Sequence, residues 1–383
     1  MRNTSVIELS KEALCNNLRF LKNRVGDERV YSSVVKGNAY GHGIEVFPRL
    51  AKDCGIRHFS VFDSFEAYTL HESFQNHVKI MIMGMVEPEA VEWCVENDIE
   101  FYVFDQYRLQ QALSAAKKVK KPARIHIELE TGMNRTGIPR KLFEVTLNTI
   151  RENEPLLEVK GLCTHFAGAE SVANYYRIQR QYKMMQNHIK WFEKRGFPRV
   201  KHHTACSAAM INFPKTMMDM VRIGILQYGY WPSRETFVNF LGKNPDKHDP
   251  LKRVITWKTH LMDIKSVKTG EFVGYGTTFM AENDITVASI PVGYSHGYSR
   301  SLSNHGRVLL HGQRVSVIGL VNMNMMLIDV TNVENPQPGD EVVLIGSQGD
   351  LDISVASFGE LSNQLNYELL TRLPKDIPRI IVD

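Results

Sequence analysis

Eight short, β-rich apolar runs recur through the first 225 residues of this 383-residue chain, and stretches of helical periodicity separate them. The runs fall at residues 30–35, 58–62, 78–83, 99–104, 124–129, 159–164, 200–204 and 221–225. Between them, segments such as 44–54, 106–119 and 174–195 place apolar side chains at i, i+3 and i+4, the spacing of a helix with one buried face. Parallel strands need such crossovers. Eight alternations therefore predict an α/β fold with an N-terminal (β/α)8, TIM-like barrel.

The pattern changes after Pro232. Residues 244–250, N-P-D-K-H-D-P, combine two prolines with charged and titratable side chains and read as a linker. Beyond it, strand-like runs at 285–291, 306–311, 314–318, 326–330 and 341–345 alternate with Gly and Pro turns. The chain is expected to divide into a barrel over residues 1–240 and a C-terminal, mostly β-strand domain over 250–383. The run at 5–8 is assigned to the second domain, because the barrel already has its eight strands.

Apolar residues make up 43% of the chain and charged ones 23%, which argues against disorder and against a membrane protein. Forty-six basic against forty-two acidic side chains leave +4, so nucleic acid is not an expected partner. Lys117, Lys118, Lys120 and Lys121 read as a solvated helix end. The cysteines, Cys15, Cys54, Cys94, Cys163 and Cys206, are odd in number and show no zinc-like spacing, which fits a reducing cytoplasm and no metal site. The first residues lack an apolar core of signal-peptide length, and no segment is long enough to span a bilayer.

In a barrel of this kind chemistry belongs at the C-terminal ends of the strands. Lys36 ends the first run, Glu128 and Glu130 the fifth, His165 the sixth, His203 and Ser207 flank the end of the seventh, and Arg222 lies in the eighth. Burial disfavours an ammonium and so prepares a lysine to act as nucleophile and base, although a single lysine at a barrel rim more often snorkels to water. Several such groups on one rim form a constellation.

The order of seven motifs carries a resemblance. They are V-V-K-G-N-A-Y-G-H-G at 34–43, E-T-G-M-N-R at 130–135, T-H-F-A at 164–167, R-I-G-I-L-Q-Y-G-Y-W-P-S at 222–233, V-G-Y-G-T-T-F at 273–279, G-Y-S-H-G-Y-S-R at 293–300 and N-Y-E-L-L at 366–370. Over nearly its whole length the chain resembles the alanine racemase family, fold-type III enzymes that use pyridoxal 5'-phosphate. The resemblance implies that Lys36 binds the cofactor covalently and then serves as the base on one face of Cα. It implies a phosphate site made by Tyr40, Ser207, Tyr367 and the backbone amides of Gly224 and Ile225. His165 would lie along the pyridine ring, and Arg222 would donate to its nitrogen. An arginine holds its proton, so that nitrogen would stay unprotonated.

Racemisation needs a second acid/base, and the family supplies a tyrosine from a partner subunit, here Tyr275. A tyrosine titrates near pKa ~10, so His203 beside Arg222 would be needed to lower its proton affinity. The resemblance thus implies a homodimer with shared sites. The substrate carboxylate would meet Arg135 and the amide of Met323, with Tyr294 as the inner gate. The implied product is D-alanine for peptidoglycan.

Some positions depart from the family pattern. Glu128 stands where many members carry a carbamylated lysine, and would supply the carboxylate that orients Arg135 directly. Cys206 replaces a frequent asparagine. His296, Leu320, Asn322 and Asn324 remove charge near the entrance, so serine or lysine stays open as a substrate beside alanine. A decarboxylase of the same fold type conflicts with Arg222. A non-racemising cofactor-binding protein, which would be a single barrel, conflicts with Tyr275 and the span 250–383.

Overall fold

The computed structural model describes residues 3–355, Phe358 and residues 366–383. The chain forms two units, one of Ala13–Gly37 and Pro48–Lys252, the other of Met1–Glu12, Asn38–Phe47 and Arg253–Asp383.

The first unit is a nearly closed barrel of eight parallel strands: Val30–Val34, His58–Val61, Lys79–Ile82, Glu100–Val103, Ala123–Glu128, Leu157–Cys163, Lys201–His203 and Met220–Ile223. Each of the first six pairs with the next, and the first also pairs with the eighth. Between the seventh and eighth the seam is held by a Cys206–Arg222 bridge and by hydrogen bonds from Asp219 N to His202 O and Arg222 N to Ala205 O, at 2.9 and 3.0 Å. Every run expected to be a barrel strand is one, with ends shifted by two residues or fewer.

Both faces of these strands are buried, which explains their near-continuous apolar sequence. Met81, Tyr102, Cys163 and Met220 pack together with Val30, Met83 and Phe104, while Ile82, Phe101, Ile127 and Leu162 alternate with them and are fully buried. Helices begin where a side chain caps them: Asp63 accepts from Glu66 N at 2.9 Å and Asp105 from Arg108 N at 2.7 Å, each just after a strand. The helix Arg140–Glu152 buries Phe143, Thr146, Leu147 and Ile150, one stripe at i, i+3, i+4 and i+7. Each large apolar side chain of such a stripe contributes about 1.5–3 kcal/mol.

Two features of this unit have no signature in the linear pattern. Cys15 and Cys54 form a disulfide with Cα atoms 5.5 Å apart, although 39 residues separate them. The barrel unit also runs past the expected boundary at 240, through the end of a helix, Arg234–Lys243, capped by Ser233, and on to Lys252.

The second unit is a sheet. The strand Ser5–Ser10 lies between Ile255–His260, to which it is antiparallel, and Arg379–Val382, to which it is parallel. Ile7 and Leu9 are fully buried on one face of it. Antiparallel pairing continues through Glu341–Gln348, Arg307–Leu310, Gln313–Ile318, Met326–Asp329, Ile285–Ile290 and Asp263–Val267. The segment Asn38–Phe47 belongs to this unit even though it directly follows the first barrel strand. Among the described residues no helix is long and apolar enough to cross a membrane.

Candidate active site

At the end of the first barrel strand the chain turns with the hand opposite to an ordinary helix. φ is positive at Gly37, Asn38, Ala39, Tyr40 and Gly41, at 63°, 55°, 52°, 51° and 79°. Such a conformation costs ~1–2 kcal/mol for each residue that carries a Cβ, so it needs fixing contacts. Gly37 N donates to the Glu66 carboxylate at 2.6 Å, and Ile44 N donates to Asn38 Oδ1 at 2.9 Å. Gly41 is required twice over, because an added Cβ would lie 1.9 Å from Leu370 O.

Lys36 opens this turn. Its amine is reachable by solvent but surrounded by protein. That desolvation, followed by the Arg135 charge, lowers its pKa, while Glu66 opposes the shift. The result favours an amine that can give up its proton.

Arg222, in the eighth strand, is 4% exposed, and its terminal nitrogens are fully engaged. Nη1 donates to His203 Nδ1 at 2.5 Å and His203 O at 3.0 Å, while Nη2 donates to Thr164 O at 2.9 Å and Thr204 O at 3.2 Å. Four N–H groups meet four acceptors, which leaves Nε–H as the donor still available. Nearby Tyr102, Cys163, Cys206 and Glu128 hold the guanidinium in its charged form against burial. His203 is fully buried, and burial and the Arg222 charge keep it neutral.

His165 follows the sixth strand, and its pKa is depressed to about 3 by burial and by Arg222, Arg135 and Lys36. It is therefore a neutral ring among cations. Gln181 fixes this loop: its Nε2 donates to His165 O at 2.9 Å, and its Oε1 accepts from Ala167 N at 2.9 Å. Ser207 opens the helix Ser207–Asn212 after the seventh strand, with Cys206 preceding it. Its Oγ accepts from Gly224 N at 2.9 Å, so a hydroxyl and an amide already converge there, with Ile225 next in the chain.

Arg135 is exposed on the loop after the fifth strand. The Glu130 carboxylate shapes this loop by accepting from Gly132 N and from Asn134 N, the latter at 2.9 Å. Gly137 passes so close that a Cβ would lie 2.6 Å from Glu130 N. Glu128 is 4% exposed, and burial raises its pKa despite a hydrogen bond from Thr136 and the charges of Arg135 and Arg222. Among the described residues its Oε2 has no hydrogen-bond partner. Arg135 and Arg222 thus act on Glu128 through charge.

In the strand unit, Tyr275 stands 72% exposed between Gly274 and Gly276, whose φ values are 75° and 69°. It lies within a loop closed by the bridge Phe272–Met280. Tyr40 and Tyr367 have ring centroids 5.9 Å apart. Tyr294 and Met323 are exposed on two loops that are tied together. Tyr294 N donates to Asn322 O at 3.0 Å, Ser295 N to Met323 O at 3.0 Å, and Ser295 Oγ to Asn324 Oδ1 at 2.8 Å. Gly293 N donates to His296 Nδ1 at 3.2 Å. Of the positions that depart from the family pattern, Asn322 and Asn324 join these loops, His296 bonds within its own loop, and Leu320 is half-buried.

Sequence reasoning did not single out Glu100, His126 and His58, which continue the network below His203. His126 Nδ1 lies 2.8 Å from His203 Nε2, and His126 Nε2 lies 2.8 Å from Glu100 Oε2. The signal was present as titratable residues inside apolar strands, E-F-Y-V and R-I-H-I-E.

Two family models match: the alanine racemase N-terminal domain over residues 9–232 and the alanine racemase C-terminal domain over 254–381. The chain is 32% identical over 381 residues to an alanine racemase of Leptospira interrogans, covering 99% of this chain and 96% of that one. It is 33% identical over 374 residues to an alanine racemase of Methanococcus maripaludis, covering 97% of each. Among solved structures, alanine racemase from Bacillus anthracis with bound L-Ala-P superposes with a TM-score of 0.90 at 30% identity, covering 100% and 96% of the two chains. The enzyme from Bartonella henselae with covalently bound pyridoxal phosphate gives 0.84 at 26% identity, covering 100% of both. Likeness over the full length, in sequence and in fold, places the chain among these isomerases. The chain belongs to the alanine racemase family.

Proposed function

We propose that this protein interconverts L- and D-alanine with pyridoxal 5'-phosphate, using Lys36 and the Tyr275 of a second copy as its two bases. The observation that carries the reading is Arg222, a buried cation with four N–H groups satisfied and Nε–H left to donate. Bound pyridoxal 5'-phosphate supplies a conjugated ring that withdraws electrons from Cα of an attached amino acid. The donor set fits that group: an amine with a disfavoured charge, one fixed N–H for a ring nitrogen, and a hydroxyl and amide pair for a phosphate.

Arg222 donates a hydrogen bond without transferring its proton, which favours return of a proton to Cα over wider redistribution of charge. Lys36 removes or returns the proton on one face, and Tyr275 does so on the other. With the cofactor bound, His165 would pack beside its ring, Arg135 and the Met323 amide would take the substrate carboxylate, and Ser207, Gly224, Ile225, Tyr40 and Tyr367 would hold the phosphate. Tyr294 narrows the entrance. The exposed Tyr275 loop supports a homodimer with shared sites, and the product suits cytoplasmic supply of D-alanine for peptidoglycan.

The test is the cofactor-loaded protein with a panel of amino acids, read by chiral chromatography. The proposal expects inversion of alanine at a kcat/KM well above that of serine or lysine. Preference for either of the others would replace the substrate and keep the chemistry.

A further inference from the structure

We propose that Glu100 is the counter-ion of Arg222, connected to it through His126 and His203, and that Glu100 and His126 are positioning residues for the guanidinium. The four side chains form one hydrogen-bonded line inside the barrel, with contacts of 2.5, 2.8 and 2.8 Å. Both histidines are fully buried and Glu100 is 4% exposed.

Chemistry fixes the direction of every hydrogen bond. Arg222 only donates, so His203 Nδ1 accepts. A neutral imidazole has one N–H, so His203 Nε2–H donates to His126 Nδ1. His126 Nε2–H then donates to Glu100 Oε2. An ionised carboxylate accepts at that end, so both ends demand the same two tautomers. Burial keeps both rings neutral, and the histidine contacts hold Glu100 ionised. The two buried charges therefore lie at opposite ends of a line of aligned dipoles, which offsets the cost of enclosing each alone.

The backbone makes room for this line. Gly161, paired with His126 across the fifth and sixth strands, could not carry a Cβ, which would lie 2.6 Å from His126 Nδ1. The strand register also shifts between Ile125 and His126. The groups beside the line are accounted for. His58 Nε2 is 3.7 Å from Glu100 Oε2, beyond hydrogen-bond range, and its Nδ1 is 3.0 Å from Ser32 Oγ. The Tyr102 ring packs 6.2 and 6.0 Å from His126 and His203, and Lys201 acts on Glu100 only through charge. Among the described residues no group of three His, Cys, Asp or Glu side chains is arranged to hold a metal ion.

The catalytic consequence rests on the racemase reading; the connection itself does not. The experiment is ¹⁵N NMR of histidine- and arginine-labelled cofactor-free protein, paired with kinetics of the loaded enzyme. Wild-type protein should show His126 and His203 protonated at Nε2 and bare at Nδ1 from pH 6 to 8. Glu100→Gln should move the signals of His126, of His203 one ring further and of Arg222. Gly161→Ala, which keeps every member of the line, should move the same three. Glu100→Gln should lower kcat by about ten-fold with KM within about two-fold, and Glu100→Asp should recover part of it. An Nδ1 proton on either ring of the wild type, or unmoved His203 and Arg222 signals in both variants, overturns the proposal. The expected spectra in a protein without racemase activity would support the connection and reject the functional reading.

Discussion

Arg222 Nη1 donates to His203 Nδ1 at 2.5 Å inside the barrel, where His203 is fully buried and Arg222 is 4% exposed. Removing the guanidinium would strand the carbonyls of Thr164, His203 and Thr204 together with an imidazole nitrogen. Arg222→Ala is therefore expected to lose about 3–5 kcal/mol of stability, the scale for breaking a buried charged network. Arg222→Lys should keep more of the fold and still lose activity, because a lysine has no Nε–H in that place. Urea unfolding alongside kcat separates the two effects.

Acid should weaken the fold well before ordinary carboxylates titrate. His165 and His42 have pKa values depressed to about 3, and those of His126 and His203 are lowered in the same direction. Unfolded histidines take up protons near pH 6.5 and these do not, so the unfolded state binds more protons below that pH. Their stability is fully present above pH ~6.5 and is lost as pH falls toward the folded values. The urea midpoint should fall steadily from pH 7 to pH 5; a flat profile over that range would mean these rings are already protonated in the fold.

Gly137→Ala should disturb substrate binding more than turnover. The added Cβ would meet Glu130 N, and Glu130 shapes the loop that carries Arg135. We expect KM for alanine to rise by about ten-fold with kcat changed by less than about three-fold, as for lost positioning of a carboxylate clamp. Equal loss in both constants would mean that the loop serves the chemical step.

Subunit mixing tests the shared site. Lys36→Ala and Tyr275→Phe proteins should each be inactive, and co-refolded mixtures should recover roughly a quarter of wild-type activity. Half of the dimers would then be mixed, each with one intact site of two. No recovery would place both residues in sites built from one chain.

The sequence made the barrel legible because its strands are buried on both faces and read as eight apolar runs. Lys36, His165 and Arg222 were visible for a related reason, as polar residues that directly follow those runs or, for Arg222, lie within one. Glu100 and His126 carry the same kind of signal but sit deeper in the strands, where only the fold reveals that they meet across 26 residues. The Cys15–Cys54 pair and the placement of Asn38–Phe47 in the strand unit depend on packing between distant segments. Glu128 shows the limit from the other side: its position was readable, but only the fold reveals that it is buried enough to raise its pKa despite the charges of Arg135 and Arg222.

The central claim is that Lys36 and Tyr275 exchange protons on opposite faces of Cα. The direct measurement is L-alanine and, separately, D-alanine in deuterium oxide with the cofactor-loaded wild type and with Tyr275→Phe. The account predicts Cα deuterium together with D-alanine from the wild type, and from Tyr275→Phe a loss of inversion by at least about a hundred-fold, with proton exchange surviving for the enantiomer that faces Lys36. Full inversion by Tyr275→Phe would contradict it.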